Sequence, residues 1–520
     1  MAGHERAVKR EERVSDVDQA AVGAQPQAID LLIHGGFVMT MDGEDRVIED
    51  GAVAVAADRI VAIGDLADLE RRYAPARRLG GRHTIVMPGL VDAYAHAGHG
   101  MIKAVYDPHL GWPASEIYFR ASTPDWWEAD ALLTGLERLV FGVTTGHSTL
   151  GATPARADDP VYAEAHVRGV GQIGTRDVLG MGPPDPFFGH LPKPWKAIDW
   201  RSGQPVEVPF TYDHCMDVSA DVVTRFNGAH DGRISVCLAI PYLCGMSPTT
   251  MTGSHHYRYS PEDIQEVVRR GREAQAFANE HGVLIHTHAA RGSFEHLERK
   301  AGRTEVEALL GPNVVIAHGH GLTLADIDLV AGSSAAVVWV PFGSWGTKVG
   351  PAPVPELVRA GVRTCIATDG AAPFHVSDLF VDVHRAMFLI AEHYHDGSLL
   401  PAGKALRMIT IEAAAVLGMD DEIGSLEVGK KADVIVIDGD QPHLTPFVMP
   451  SQLVAFYARG NDVRDVVVDG RVLMEERRVL SVDRDHVLDT ARQEAAKAFE
   501  RVDITPYVTT SRQFWRGWRT

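Results

Sequence analysis

From Ile85 to Gly370 the chain repeats one unit, an apolar run of four to eight residues followed by a longer stretch with helical spacing. Eight such runs can be read: IVMPGLVDAYAH, GVTTGHS, VGQIGTRDVLG, ISVCLAIPY, GVLIHTHAA, NVVIAHGHG, AAVVWVPF and TCIATDG. Short continuous apolar runs that alternate with amphipathic helices belong to strands buried on both faces of a parallel sheet. Eight βα units spread over about 335 residues predict an α/β fold, a (β/α)8 TIM-like barrel with insertions. The helix starts agree. Thr123-Pro124-Asp125 and Ser260-Pro261-Glu262-Asp263 each put a capping oxygen before a proline at the first helical position. After the second of these, Ile264, Val267 and Val268 share one face and Gly282 stops the helix.

The texture differs on both sides of this region. DLLIHGGFVMTMD and GAVAVAADRIVAIGD alternate short apolar runs with Gly and Asp turns, and the same texture returns in GSLEVGKKADVIVIDGD and VRDVVVDGRVLMEERRVL. A small discontinuous β-sandwich domain is therefore expected from both chain ends, residues 29–85 and 422–482, around a barrel at 86–421. Residues 1–28 are charged and alanine-rich without an apolar core, which reads as a flexible tail and not as a secretion signal. Residues 483–520 open with an amphipathic helix carrying Leu488, Ala491, Phe499 and Val502, then end Phe-Trp-Arg-Gly-Trp-Arg-Thr. That segment is expected to serve as a contact between copies in a homodimer or higher homo-oligomer.

A net charge of −19 argues against nucleic acid or an anionic membrane as the main partner, because both attract basic surfaces. No run of about 18 apolar residues offers a membrane span. Cys215, Cys237, Cys244 and Cys365 are too few and too irregular for a disulfide framework or zinc knuckle, so a cytoplasmic location is expected.

In a barrel of this kind chemistry sits at the carboxyl ends of the strands. His96 closes the first run, His288 the fifth, His318 the sixth and Asp369 the eighth. Each alone reads equally well as a satisfied core or loop residue. Four at equivalent strand ends converge on one mouth, which is what a site looks like.

These residues lie in segments that resemble the amidohydrolase superfamily, in particular its cytosine deaminase and triazine hydrolase branch. The resemblance covers roughly residues 29–485 and is carried by IVMPGLVDAYAH, LIHTHAAR, IAHGHG, ATDGAAPFHVSDLF and ITIEAAAVLGMDDEIGSLEVGKKADVIVID. It implies a mononuclear site in which a strand-1 histidine pair, a strand-5 histidine and a strand-8 aspartate hold a divalent metal. Zinc is the first choice, with iron or manganese as alternatives. Carried over by position, His96, His288 and Asp369 are the metal ligands, His318 polarises the substrate, and Asp369 is the acid-base. Such a metal with one open position lowers the pKa of water toward neutrality beside an electrophilic carbon. ISVCLAIPY lacks the lysine that bridges two metals in binuclear members. His286, His147, His99 and His320 read as supporting or loop residues.

Two positions depart from the pattern. Tyr94 stands where the first histidine of the strand-1 pair belongs, and a phenol with pKa near 10 is a poor zinc ligand. It binds as a phenolate and favours iron, or it lines the pocket while water or His99 fills the gap, or the site is poor in metal. Arg291 stands where deaminases of the branch carry a proton-shuttling glutamate, and arginine cannot shuttle a proton. Tyr94 and Arg291 are thus taken as substrate-binding, Arg291 for a carboxylate or carbonyl, against the alternative of an ion pair with Glu295. Long aromatic loops, Ala97 to Ser122 and Met181 to Val208, serve as lids or oligomer contacts, or bury their rings against one another or a second subunit.

The expected activity is metal-dependent hydrolysis of a carbon–nitrogen bond (amide, carbamate or urea) or of an activated ring substituent in a small molecule. One alternative is an aminohydrolase with Glu295 or water as substitute acid. The other is a degenerate barrel that only binds.

Overall fold

The computed structural model describes residues 25–107, 110–151, 155–185, 187, 193–245, 259–344 and 349–508. Its central sheet contains all eight apolar runs as parallel strands in chain order: β1 (Leu90–Val91), β2 (Val143–Thr149), β3 (Arg176–Met181), β4 (Ile234–Ile240), β5 (Ile285–Ala290), β6 (Val314–His320), β7 (Ala336–Trp339) and β8 (Thr364–Ile366). The ring closes just beyond β1 and β8. Ala95 pairs in parallel with Asp369, and the Asp369 N–H donates to the Tyr94 carbonyl at 2.9 Å. This is the expected (β/α)8 barrel.

Strand alternation sorts the side chains. On β6, Val314 and Ile316 pack under the surrounding helices, while Val315 and Ala317 join Tyr94, Val178, Cys237, Val338 and Cys365 in the barrel interior. The helices begin as their caps predict. The Thr123 hydroxyl accepts from the Trp126 N–H at 3.2 Å. Ser260 and Asp263 form a reciprocal capping box over the helix Pro261–His281, which buries Ile264 and Val267 and leaves Val268 half-buried.

A second eight-stranded sheet joins the two chain ends. Val434–Asp438 pairs antiparallel with Tyr73–Pro88, from Val434 opposite Pro88 to Asp438 opposite Thr84. Its halves share a core of Leu31, Ile33, Val53, Val86, Val434 and Val436. Buried ion pairs fasten it to the amino end of the barrel: Arg176 to Asp433 at 3.0 Å and Arg233 to Asp469 at 3.3 Å.

The helix Arg484–Arg501 buries Val487, Ala491 and Ala498, with Leu488, Phe499 and Val502 at the margins of that face. It lies on its own barrel, against the helix Pro124–Val140, and the Arg501 guanidinium donates to the Ala121 carbonyl at 2.7 Å. Its apolar face is thus covered within the chain. The aromatic tail after Val508, His109 and Phe188 lie outside the described residues. Among the described residues no helix is long and apolar enough to cross a membrane.

Candidate active site

Period-2 alternation on β5 points both His286 and His288 into the barrel, His288 nearer the carboxyl end. On β6 the same parity assigns residue 318 to the outer face, but His318 has φ +69°, a left-handed turn that swings its ring into the mouth. Asp369 has φ +65°. Strained backbone of this kind is held in place by its surroundings and clusters at functional sites.

The mouth brings His96, His288, His318 and Asp369 together. His96 Nε2 lies 3.0 Å from Asp369 Oδ1, and His318 Nε2 lies 4.0 Å from Asp369 Oδ2. His96 Nδ1–H donates to the Gly151 carbonyl at 2.7 Å, and His288 Nδ1–H donates to the Pro241 carbonyl at 3.0 Å. Each ring is anchored through Nδ1 and turns Nε2 toward the mouth, the orientation a metal ligand requires. His96 Nε2 and His318 Nε2 both face the Asp369 carboxylate, with His288 Nε2 beside them, a convergence of imidazole nitrogens and one carboxylate whose donor set fits a divalent cation.

Burial and the neighbouring imidazoles hold His288 down at about 3. Burial, with His320 and His96, holds His318 at about 4 against the pull of Asp369. Both rings are therefore neutral at neutral pH. Burial raises the Asp369 carboxyl, but its hydrogen bond to His96 and the adjacent imidazoles outweigh that and hold it well below the usual range, ionised.

Tyr94 is 1% exposed and does not line the mouth cavity. Its hydroxyl donates to His288 Nε2 at 2.6 Å and lies 3.1 Å from His96 Nε2. Burial and the Asp369 charge push its pKa well above the ordinary value, so it stays a phenol in this arrangement. The expected substrate contact is replaced by contact with two neighbouring histidines. His99 stacks on His96 at 4.8 Å with Trp112 edge-on beyond it. Only a glycine at 370 leaves room for that ring, since a Cβ there would sit 1.7 Å from His99 Nδ1.

Arg291 is exposed and does not line the mouth. Beyond the register shift at Ala289/Ala290 its N–H donates to the His320 carbonyl. Asp326 then collects the N–H groups of Gly292, Phe294 and Glu295 and draws the following turn onto the outer helix layer. Glu295 pairs with Arg299 and accepts from the Thr323 hydroxyl. Neither Arg291 nor Glu295 is among the residues that wall the mouth cavity.

The mouth opens to a cavity of about 480 Å³ whose wall includes Trp112, Glu116, Tyr242, Phe342 and Tyr507. Sequence reasoning missed Glu116, Tyr242 and Tyr507 as site residues. Tyr242 follows β4 directly and was legible as a strand-end residue. Glu116 comes from a lid, and Tyr507 from the segment expected between copies. Most other loop aromatics bury against one another, as in Tyr118–Trp127 at 5.3 Å and Phe119–Phe210 at 5.7 Å. Buried Arg156 clamps the lid through the Tyr118 carbonyl, Ser122 and Tyr162.

Residues 85–473 match the model of the amidohydrolase family. The chain belongs to the amidohydrolase family. It is a hydrolase of the carbon–nitrogen class. This amidohydrolase is 31% identical over 482 residues to a 5-methylthioadenosine/S-adenosylhomocysteine deaminase of Symbiobacterium thermophilum, covering 90% of this chain and 98% of the relative. It is 28% identical to a 5'-deoxyadenosine deaminase of Methanococcoides burtonii, covering 91% and 99%. Its fold is that of a zinc-bound adenosine deaminase from Xanthomonas campestris (TM-score 0.75, 24% identity, 92% and 100% covered). It is also that of an atrazine chlorohydrolase from Arthrobacter aurescens complexed with zinc (TM-score 0.70, 22% identity, 89% and 100% covered).

Proposed function

We propose that this amidohydrolase hydrolyses a carbon–nitrogen bond of a small molecule at the mouth, using one zinc ion held by His96, His288 and Asp369. The observation that carries this reading is the pair of carbonyl-anchored imidazoles turning their Nε2 atoms into the mouth beside an ionised carboxylate. The bound zinc supplies Lewis acidity and lowers the pKa of water.

The chain's own residues supply the remaining steps. Asp369 takes the proton of the attacking water and returns it to the leaving nitrogen. His318, neutral and in its Nε2–H tautomer, donates to the atom on which negative charge develops. Tyr94, edge-on to the His96 and His288 rings, packs against both from below and limits the space on the β1 side.

A second reading, hydrolytic deamination of an adenine-type nucleoside, is favoured by the full-length similarity to chains named for that reaction. In it Glu116, the carboxylate in the cavity wall, takes the role that Arg291 cannot fill. The acidic charge and the four free, buried cysteines support a cytoplasmic enzyme, and assembly as a homo-oligomer is open to size-exclusion chromatography.

Ammonia release across a panel of amides, ureas and aminated heterocycles tests both readings. Ammonia with an intact ring product assigns deamination, and amine plus acid assigns amide-type cleavage. No turnover of any member by zinc-loaded protein would sink the proposal.

A further inference from the structure

One layer below the mouth lies a donor set that the proposed reaction does not use. His147 on β2, Cys237 on β4 and His286 on β5 are all buried, and their ligand atoms lie within 4.8 Å of one another. The Tyr94 ring stands between this layer and the mouth, 5.5 Å from His147 and 6.3 Å from His286, against 5.2 Å from His96 and 5.6 Å from His288.

His147 Nδ1 lies 3.0 Å from the Ala95 carbonyl and 3.3 Å from the Ala95 nitrogen, and its Nε2 faces Cys237 Sγ at 3.5 Å. A thiol hydrogen bond would account for those two residues alone. It leaves His286, 2% exposed, with neither ring nitrogen partnered. Burying an unpaired imidazole N–H is costly, and an ordinary core places an apolar residue there.

We infer that His147, Cys237 and His286 form a second metal site, independent of the proposed reaction, for a soft thiolate-binding cation, Zn2+ or Cu+. Two imidazole nitrogens and a thiolate select soft ions over Mg2+, Ca2+ or Mn2+. Metal–ligand distances of about 2.0–2.3 Å place donors about 3.3–3.9 Å apart, so the His147–Cys237 spacing already fits, and His286, stacked on His147 with 4.2 Å between ring centroids, must turn out of that stack to complete the set. On binding, the Cys237 thiol loses its proton to solvent and the thiolate offsets the charge of the ion. Cys237 also borders a cavity of about 490 Å³ at the amino end of β3 and β4, walled by Asp231 and Glu422, the side from which an ion would enter.

The test uses the full chain, purified without metal-chelating resin and saturated in turn with Co2+, Zn2+ and Cu+. Co2+ is expected to give a near-ultraviolet thiolate-to-metal band that persists in His96→Ala and disappears in Cys237→Ser. His286→Phe and Cys237→Ser should each weaken Zn2+ or Cu+ binding at this site by more than about 100-fold, the upper end of what loss of a supporting residue costs. X-ray absorption of the wild type at the zinc and copper edges reads the ligands without a variant that must fold, and tells the two ions apart. One sulfur with nitrogen neighbours is expected at one edge. No sulfur scatterer at either edge, or a Co2+ band that survives Cys237→Ser, overturns the site. Failure of the mouth metal instead appears as activity without metal, which these spectra do not report.

Discussion

The mouth and the layer beneath it are built from the same material and differ in what surrounds it. Both hold imidazoles on β2, β5 or the strand ends, and both touch Tyr94. In the mouth, His96 and His288 are anchored on backbone carbonyls, an ionised carboxylate faces them, and a cavity of about 480 Å³ admits a substrate. In the lower layer a thiol replaces the carboxylate and the donors are shut inside the strands. An oxygen-bearing open site suits chemistry on a substrate, whereas a closed sulfur-bearing one suits retention of an ion.

If that contrast is right, substitutions in the two layers separate cleanly. Asp369→Asn removes the acid-base and should lower kcat by about 10²–10⁴-fold, while Cys237→Ser leaves kcat within about twofold. Steady-state kinetics on folded, metal-assayed protein checks both, and equal losses would erase the distinction. His318→Asn should cost about 10²–10³-fold in kcat with little change in KM. Tyr94→Phe removes the hydrogen bond to His288 and should cost about 10-fold in kcat/KM. A loss as large as that of Asp369→Asn would make Tyr94 a direct participant. Arg291→Ala should change kcat/KM by no more than about twofold, as for other exposed substitutions away from a site. A large rise in KM would return Arg291 to the substrate.

The barrel was legible because parallel strands buried on both faces leave continuous apolar runs, and strand ends can then be counted. That is how His96, His288, His318 and Asp369 could be named together, although the left-handed turn that aims His318 inward has no signal in its sequence. Arg291 was misplaced because position along β5 was extrapolated past the register shift at Ala289/Ala290. Asp326, far along the chain, decides where the following turn goes. Glu116 and Tyr507 reach the cavity by a lid and a terminal helix whose paths depend on Arg156 and on packing against the helix Pro124–Val140. Such contacts are set by tertiary packing, which local pattern does not carry.

The central claim is that the mouth works with one metal held by His96, His288 and Asp369. Titrating metal-free Cys237→Ser protein with Zn2+ while following turnover isolates that site from the layer below. Activity should rise from zero, saturate at one equivalent, and fail to return in the same background carrying His96→Ala. Full turnover by the metal-free protein would contradict the account.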